Sequence, residues 1–304
     1  MTQQVTIVDV SPRDGLQIEA NSVSTENKAE LIHKLTEAGI QKIEATSFVH
    51  PKKVPQMADA EALLEQISAN ENIQPIALIP NQKGFMRASH FPNLELNWVA
   101  SATETFSDKN LGMTIDRNFE MFTEVAKEVK AKGMEICFSI AVSFGCPYEG
   151  HVEEEKVLQL VEKAVQAGAD RIGIADTIGI ATPNEVDRLF QKVLDVAGDT
   201  KVSFHIHDTR GLGAANAYAA YTAGVRTFET AVSGIGGCPF APGSAGNLAT
   251  EDLVYLFERM GVQTGVDVNK LFEAADFAAG LVSKKPLGRI RHLDRARTIK
   301  EMME

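Results

Sequence analysis

The sequence predicts an α/β fold, a (β/α)8 TIM barrel with a short C-terminal helical appendage. Three observations predict it. Eight short runs rich in Val, Ile, Phe and Thr alternate with amphipathic stretches. Several of those stretches end at a glycine. Eight strand–helix units then fill roughly 260 residues, the size such a barrel needs.

In chain order, strands are expected at Val5–Val10, Lys42–Ser47, Gln74–Ile79, Leu96–Ser101, Glu135–Val142, Arg171–Asp176, Val202–Asp208 and Thr227–Val232. Helices are expected at Glu26–Ala38, Arg117–Lys132, Glu154–Ala167 and Pro183–Ala197. In the third of these, Val157, Leu160, Val161 and Ala164 recur at helical spacing. Ala38-Gly39, Lys132-Gly133, Ala167-Gly168 and Ala223-Gly224 read as helix ends, where glycine takes the left-handed conformation cheaply. A doubly wound open sheet is the competing arrangement, but no GxGxxG follows the first strand.

Composition narrows the function. At 44% hydrophobic and 23% charged residues, the 304-residue chain is an ordinary globular sequence rather than a disordered one. A net charge of −11 argues against non-specific nucleic-acid binding. The charge is uneven: from Ser283 to Glu304, seven Lys or Arg face three acids, leaving −15 on the rest. This predicts a catalytic barrel over 1–282, including a lid loop at 234–247, and a basic tail over 283–304. No run of 18 apolar residues predicts a membrane span. Three cysteines, Cys137, Cys146 and Cys238, do not read as a disulfide framework. With no targeting leader visible, a cytoplasmic location is expected.

In a barrel, function gathers where the strands end. The polar clusters fall there: Arg13-Asp14 and Gln17 after strand one, Glu44 and Ser47 on strand two, Asp176-Thr177 after strand six. Strand seven carries His205 and His207, which share a face at i and i+2 spacing, with Phe204 and Ile206 turned outward. With Asp14 and Asn247 at the same rim, these imidazoles can hold a cation. Zinc is conceivable, but mixed N/O donors without thiolate suit Mg²⁺ or Mn²⁺ at least as well. Arg13 offers a permanent planar charge for an oxygen that becomes negative, and Glu44 is its natural partner. Cys238 sits among glycines and prolines, where a thiol can act as acid or base; Cys137 reads as a buried small hydrophobe.

Together these motifs resemble the 3-hydroxy-3-methylglutaryl-CoA lyase family, among the metal-dependent TIM-barrel lyases that include isopropylmalate synthase. The resemblance rests on Pro12-Arg13-Asp14-Gly15-Leu16-Gln17, Glu44-Ala45-Thr46-Ser47-Phe48-Val49, Asp176-Thr177-Ile178-Gly179, His205-Ile206-His207-Asp208-Thr209 and the stretch Gly234 to Asp252. It implies a retro-Claisen cleavage of an acyl-CoA, giving acetyl-CoA and a keto acid. It also implies metal ligation by Asp14, His205, His207 and Asn247. Arg13 would stabilise the enolate, Glu44 would orient Arg13, and Cys238 would carry a proton. Arg13, Gln17, Ser47, Asp176 and Thr177 match positions that bind substrate. Departures at Ser11, Ile18, Lys53 and Arg210 leave the reaction type standing and open the acyl group, so citramalyl-CoA or a related ester is an alternative.

A Claisen synthase of the same superfamily and a non-catalytic metal-binding scaffold are the rival readings. A homodimer or higher homo-oligomer is expected, with no nucleic-acid or membrane partner. Within the tail, Lys284, Lys285 and Arg289 are candidates to approach the CoA phosphates, and the barrel is expected to tolerate truncation after Val282.

Overall fold

The computed structural model describes residues 3–237, 246–283 and 286–303. Eight parallel strands close into a barrel: β1 (Thr6–Asp9), β2 (Lys42–Ser47), β3 (Gln74–Ile79), β4 (Glu95–Ser101), β5 (Ile136–Ala141), β6 (Arg171–Asp176), β7 (Lys201–Ile206) and β8 (Thr227–Thr230). Each strand pairs with its sequence neighbours, and β8 closes on β1 with Thr6 beside Thr227. A bulge between Glu44 and Thr46 breaks the β2–β3 register beside the barrel mouth.

The outward faces of the strands are apolar because helices cover them. Phe138 of β5 meets Phe122, Phe204 of β7 meets Phe190, and Phe228 of β8 meets Phe257, with ring centroids 4.6, 4.9 and 5.0 Å apart. Burying each such ring contributes about 1.5–3 kcal/mol. Helices Thr25–Glu37, Ile115–Ala131, Glu154–Gln166 and Pro183–Ala197 lie within two residues of the expected spans. Thr182 and Glu185 form a reciprocal cap on the last of them, and Pro183 occupies its first turn. Gly39, Gly133, Gly168 and Gly224 all carry positive φ, as the helix-end reading requires.

The inward faces are unusually polar. Lys42 donates to Glu95 (2.9 Å), and Arg171 clasps the same Glu95 through Nε (2.8 Å) and Nη2 (2.6 Å). Arg171 also reaches Ser203 (2.6 Å) and Glu229. Lys42 and Arg171 balance Glu95 and Glu229, so the barrel floor holds paired charges, the only form in which buried charge is tolerable. Cys137 lies beside them, and burial pushes its thiol up to about 12, an inert group.

Three chain segments differ from expectation. Ser11–Gly15, for which no element was expected, is a π-helical turn. β7 stops at Ile206, because His207 leaves the ladder to bridge Asn247 instead. β8 stops at Thr230, and Val232–Gly234 forms a 3-10 turn in which Ser233 takes φ 61°.

Beyond helix Val268–Leu281 the chain turns back over the barrel's rim. Leu287 donates its N–H to the Ser233 carbonyl (2.9 Å), and the Arg289 and Ile290 N–H groups both bond Asp252 (3.0 and 2.8 Å). A final helix, Arg295–Met303, follows. Arg291 and Arg295 both pair with Asp276. Among the described tail residues, Arg289, Arg291 and Arg295 thus pair with body acids, while Arg297 pairs with Glu301 within the tail.

Candidate active site

The π-helical turn after β1 builds one side of the barrel mouth. The Asp14 and Gly15 N–H groups both bond the Val10 carbonyl (2.8 and 3.2 Å), a widened turn into which Pro12 fits without a missing donor. It brings Arg13 and Asp14 over the barrel interior. Arg13 Nε donates to Glu44 Oε2 (2.6 Å), Nη2 contacts the same carboxylate, and Nη1 donates to Asp14 Oδ1 (2.7 Å). Glu44 Oε1 accepts from Asn97 Nδ2 (2.8 Å), and Gln17 Nε2 donates to Asp14 Oδ1 (2.9 Å). One buried guanidinium therefore spans two carboxylates, which a point charge cannot do. Burial opposes the Arg13 charge, but Glu44 and Asp14 outweigh it and keep the group ionised.

β7 builds the other side. His205 and His207 face each other with Nε2 atoms 3.2 Å apart, and His207 Nε2 lies 3.9 Å from Asp14 Oδ2. Ligand atoms of Asp14, His205 and His207 all fall within 4.8 Å of one another, and two of the three residues are buried. Asn247 completes the group: its Nδ2 donates to Asp14 Oδ2 (2.9 Å) and to the Ile235 carbonyl (3.0 Å). Gly236 makes this approach feasible. At φ 106°, a Cβ there would lie 2.8 Å from Asn247 Nδ2.

The donor set fits a divalent cation. Two imidazole nitrogens and a carboxylate converge on one point, and the neighbouring Asn247 has a buried Oδ1 with no hydrogen-bond partner among the described residues. Such an oxygen is costly unless something electropositive meets it. Burial and the neighbouring His205 lower His207 to about 4, so its ring is neutral at pH 7, the form in which an imidazole can ligate. Burial works against the Asp14 charge, but Arg13 and the two histidines hold its carboxyl below the usual range.

The remaining predicted residues divide. Gln17 joins the cluster through Asp14. Ser47, Asp176 and Thr177 stand at strand ends and bond rim backbone: Ser47 accepts from Val49 N, Thr177 from Val142 N, and Asp176 from Ile180 and Ala181. Burial raises Asp176 to about 6. Cys238, Lys284 and Lys285 lie outside the described residues. Arg289 is paired with Asp208 at 2.8 Å and with Asp252 at 3.5 Å. Two members of the site escaped sequence reasoning. Asn97 holds Glu44, and Glu229 Oε2 lies 3.4 Å from His205 Nδ1. Their signal was alternation: Asn97 lies between the buried Leu96 and Trp98, and Glu229 follows the buried Phe228.

The HMGL-like family model matches residues 4–278. The chain is 40% identical to the mitochondrial hydroxymethylglutaryl-CoA lyase of Macaca fascicularis, covering 95% of this chain and 89% of that one. It is 38% identical to the (R)-citramalyl-CoA lyase of Chloroflexus aurantiacus, covering 93% and 92%. A solved structure of an HMG-CoA lyase from Acinetobacter baumannii, in complex with coenzyme A and 3-methylmalate, superposes with a TM-score of 0.92 at 39% identity, over 96% of this chain and 95% of that one. On a family match spanning most of the barrel, and on relatives similar over nearly their whole length, the chain belongs to the HMGL-like family.

Proposed function

We propose that this chain is a carbon–carbon lyase that cleaves 3-hydroxy-3-methylglutaryl-CoA, or a close 3-hydroxyacyl-CoA, to acetyl-CoA and a keto acid. The observation that carries the reading is the buried Arg13 fork between Glu44 and Asp14, set beside His205, His207 and Asn247. A ligand set alone would suit a scaffold; a guanidinium bonded to one of those ligands, Asp14, supplies what an enolate oxygen needs.

Asp14, His205, His207 and Asn247 would hold the cation, with Mg²⁺ or Mn²⁺ matching a donor set that contains no thiolate. When bound, the cation supplies Lewis acidity and a template for the hydroxyl-bearing end of the substrate. The substrate's 3-hydroxyl loses its proton, the bond between C2 and C3 breaks, and C3 becomes the ketone. The electron pair passes to C2 as the thioester enolate, which then takes up a proton. Arg13 stabilises the enolate oxygen, and Glu44, itself fixed by Asn97, keeps the guanidinium in place. Cys238 is the proton carrier that the family resemblance implies. Gln17 steadies Asp14 from the far side. Ser47, Asp176 and Thr177 shape the rim that receives the acyl chain.

The second reading is a citramalyl-CoA lyase, favoured by the Chloroflexus relative of nearly equal identity. The two share every step above and differ in the acyl group. The test is kcat/KM on 3-hydroxy-3-methylglutaryl-CoA and on both enantiomers of citramalyl-CoA, with Mg²⁺ or Mn²⁺. Preference for the first ester by at least about tenfold, about 1.4 kcal/mol of discrimination, supports the primary reading. The reverse preference selects the second, and no cleavage of any of them removes both.

A further inference from the structure

Glu229 lies below the site, on β8, and no step of the proposed chemistry uses it. It is nevertheless tightly held. Its Oε1 accepts from Ser203 Oγ (2.8 Å) and from Arg171 Nη1, while its Oε2 faces His205 Nδ1 at 3.4 Å. Arg171 has a second carboxylate besides Glu229, because Glu95 takes its Nε and Nη2. What Glu229 alone reaches is the back of the His205 ring.

An imidazole can ligate through Nε2 only when the remaining proton sits on Nδ1. A carboxylate behind the ring enforces that tautomer and fixes the ring's orientation. From these contacts we infer that Glu229 is the positioning residue for His205: anchored by Arg171 and Ser203, it takes the Nδ1 proton as a hydrogen bond and leaves Nε2 facing Asp14 and His207. The inference rests on the reading of Asp14, His205 and His207 as a cation site.

The test is Mn²⁺ affinity, measured from the electron paramagnetic resonance signal of the free ion over wild type, Glu229→Gln, Glu229→Asp and Glu95→Gln, with thermal midpoints alongside. Glu229→Gln keeps the shape and an acceptor for Arg171 but removes the charge behind His205. Its Mn²⁺ dissociation constant is expected to rise about 10- to 100-fold. Glu95→Gln removes a carboxylate from the same Arg171 without facing His205; it is expected to lower the thermal midpoint and leave Mn²⁺ affinity near wild type. Glu229→Asp keeps the charge and the Arg171 pair but draws the carboxylate back by one methylene. It is expected to fold and to bind Mn²⁺ more weakly, so a failure of the Gln variant to fold does not remove the test. Wild-type affinity in both Glu229 variants overturns the inference, as does an equal loss in Glu95→Gln. If wild type itself binds no Mn²⁺, the cation reading fails first and takes this one with it.

Discussion

Replacing Arg13 with Lys keeps the charge and removes the fork, so it separates a structural ion pair from a catalytic clamp. The guanidinium contacts Glu44 through Nε and Nη2 and Asp14 through Nη1, in a pocket where the side chain is only 9% exposed. A lysine Nζ is a single point that can serve one carboxylate at a time. At least one buried charge-assisted hydrogen bond is lost, about 1.5–3 kcal/mol. The enolate oxygen also loses its planar donor pair, which typically costs roughly 10²–10³-fold in rate, or about 2.7–4 kcal/mol. Steady-state release of acetyl-CoA from 3-hydroxy-3-methylglutaryl-CoA should therefore show kcat lowered by about 10²–10³-fold with KM little changed. Mn²⁺ affinity should fall much less, because Gln17 and Asn247 still hold Asp14. A Lys variant with kcat within about threefold of wild type would refute the clamp and leave Arg13 a purely structural partner of Glu44.

Four further outcomes are expected. Gly236→Ala should weaken Mn²⁺ binding, since its Cβ would press 2.8 Å from Asn247 Nδ2 and 3.0 Å from the Asp14 carbonyl; isothermal titration reads the change. Saturating Mn²⁺ should raise the thermal midpoint and chelation reverse it, with about 2.7 kcal/mol gained at a hundredfold excess over Kd. Truncation after Val282 should lower the thermal midpoint, because Ser233 and Asp252 lose the tail N–H groups that bond them and each buried hydrogen bond contributes about 1 kcal/mol. Glu251→Gln should flatten the pH dependence of stability. Burial raises Glu251 to about 8 in the fold, against 4.5 unfolded, so the native state holds an extra proton between those values and wild type loses stability as pH rises through that window. That group's contribution to the slope is at most about 1.4 kcal/mol per pH unit, and a Gln variant with an unchanged slope would disprove it.

Periodicity made the barrel legible: β2, β3 and β6 carry the expected bounds, and the four helices read as ending before Gly39, Gly133, Gly168 and Gly224 end within two residues of those glycines. Local pattern was enough because alternation is imposed residue by residue, by helices on one face and the interior on the other. His205 and His207 were legible for the same reason, as a spacing within one strand. Glu44 with Arg13 was legible as adjacent strand ends. Glu229, Arg171 and Glu95 were not, because their meaning lies in pairing across β8, β6 and β4, up to 76 residues apart. A lone charge in a short strand carries no mark of its partner. Within the tail, Arg289 was legible only as positive charge; its pairing with Asp208 and Asp252 comes from the fold, and Lys284 and Lys285 lie outside the described residues. The π-helical turn at Ser11–Gly15 had no periodic signal to give, since it is a single widened turn.

The most direct measurement incubates metal-stripped protein with 3-hydroxy-3-methylglutaryl-CoA and follows acetyl-CoA and the keto acid together. The account predicts equal amounts of the two products once Mg²⁺ or Mn²⁺ is added, none in excess chelator, and loss of turnover in His207→Ala. Formation of free CoA without the keto acid would contradict it by making the reaction a thioester hydrolysis, and metal-independent turnover would contradict the role assigned to Asp14, His205 and His207.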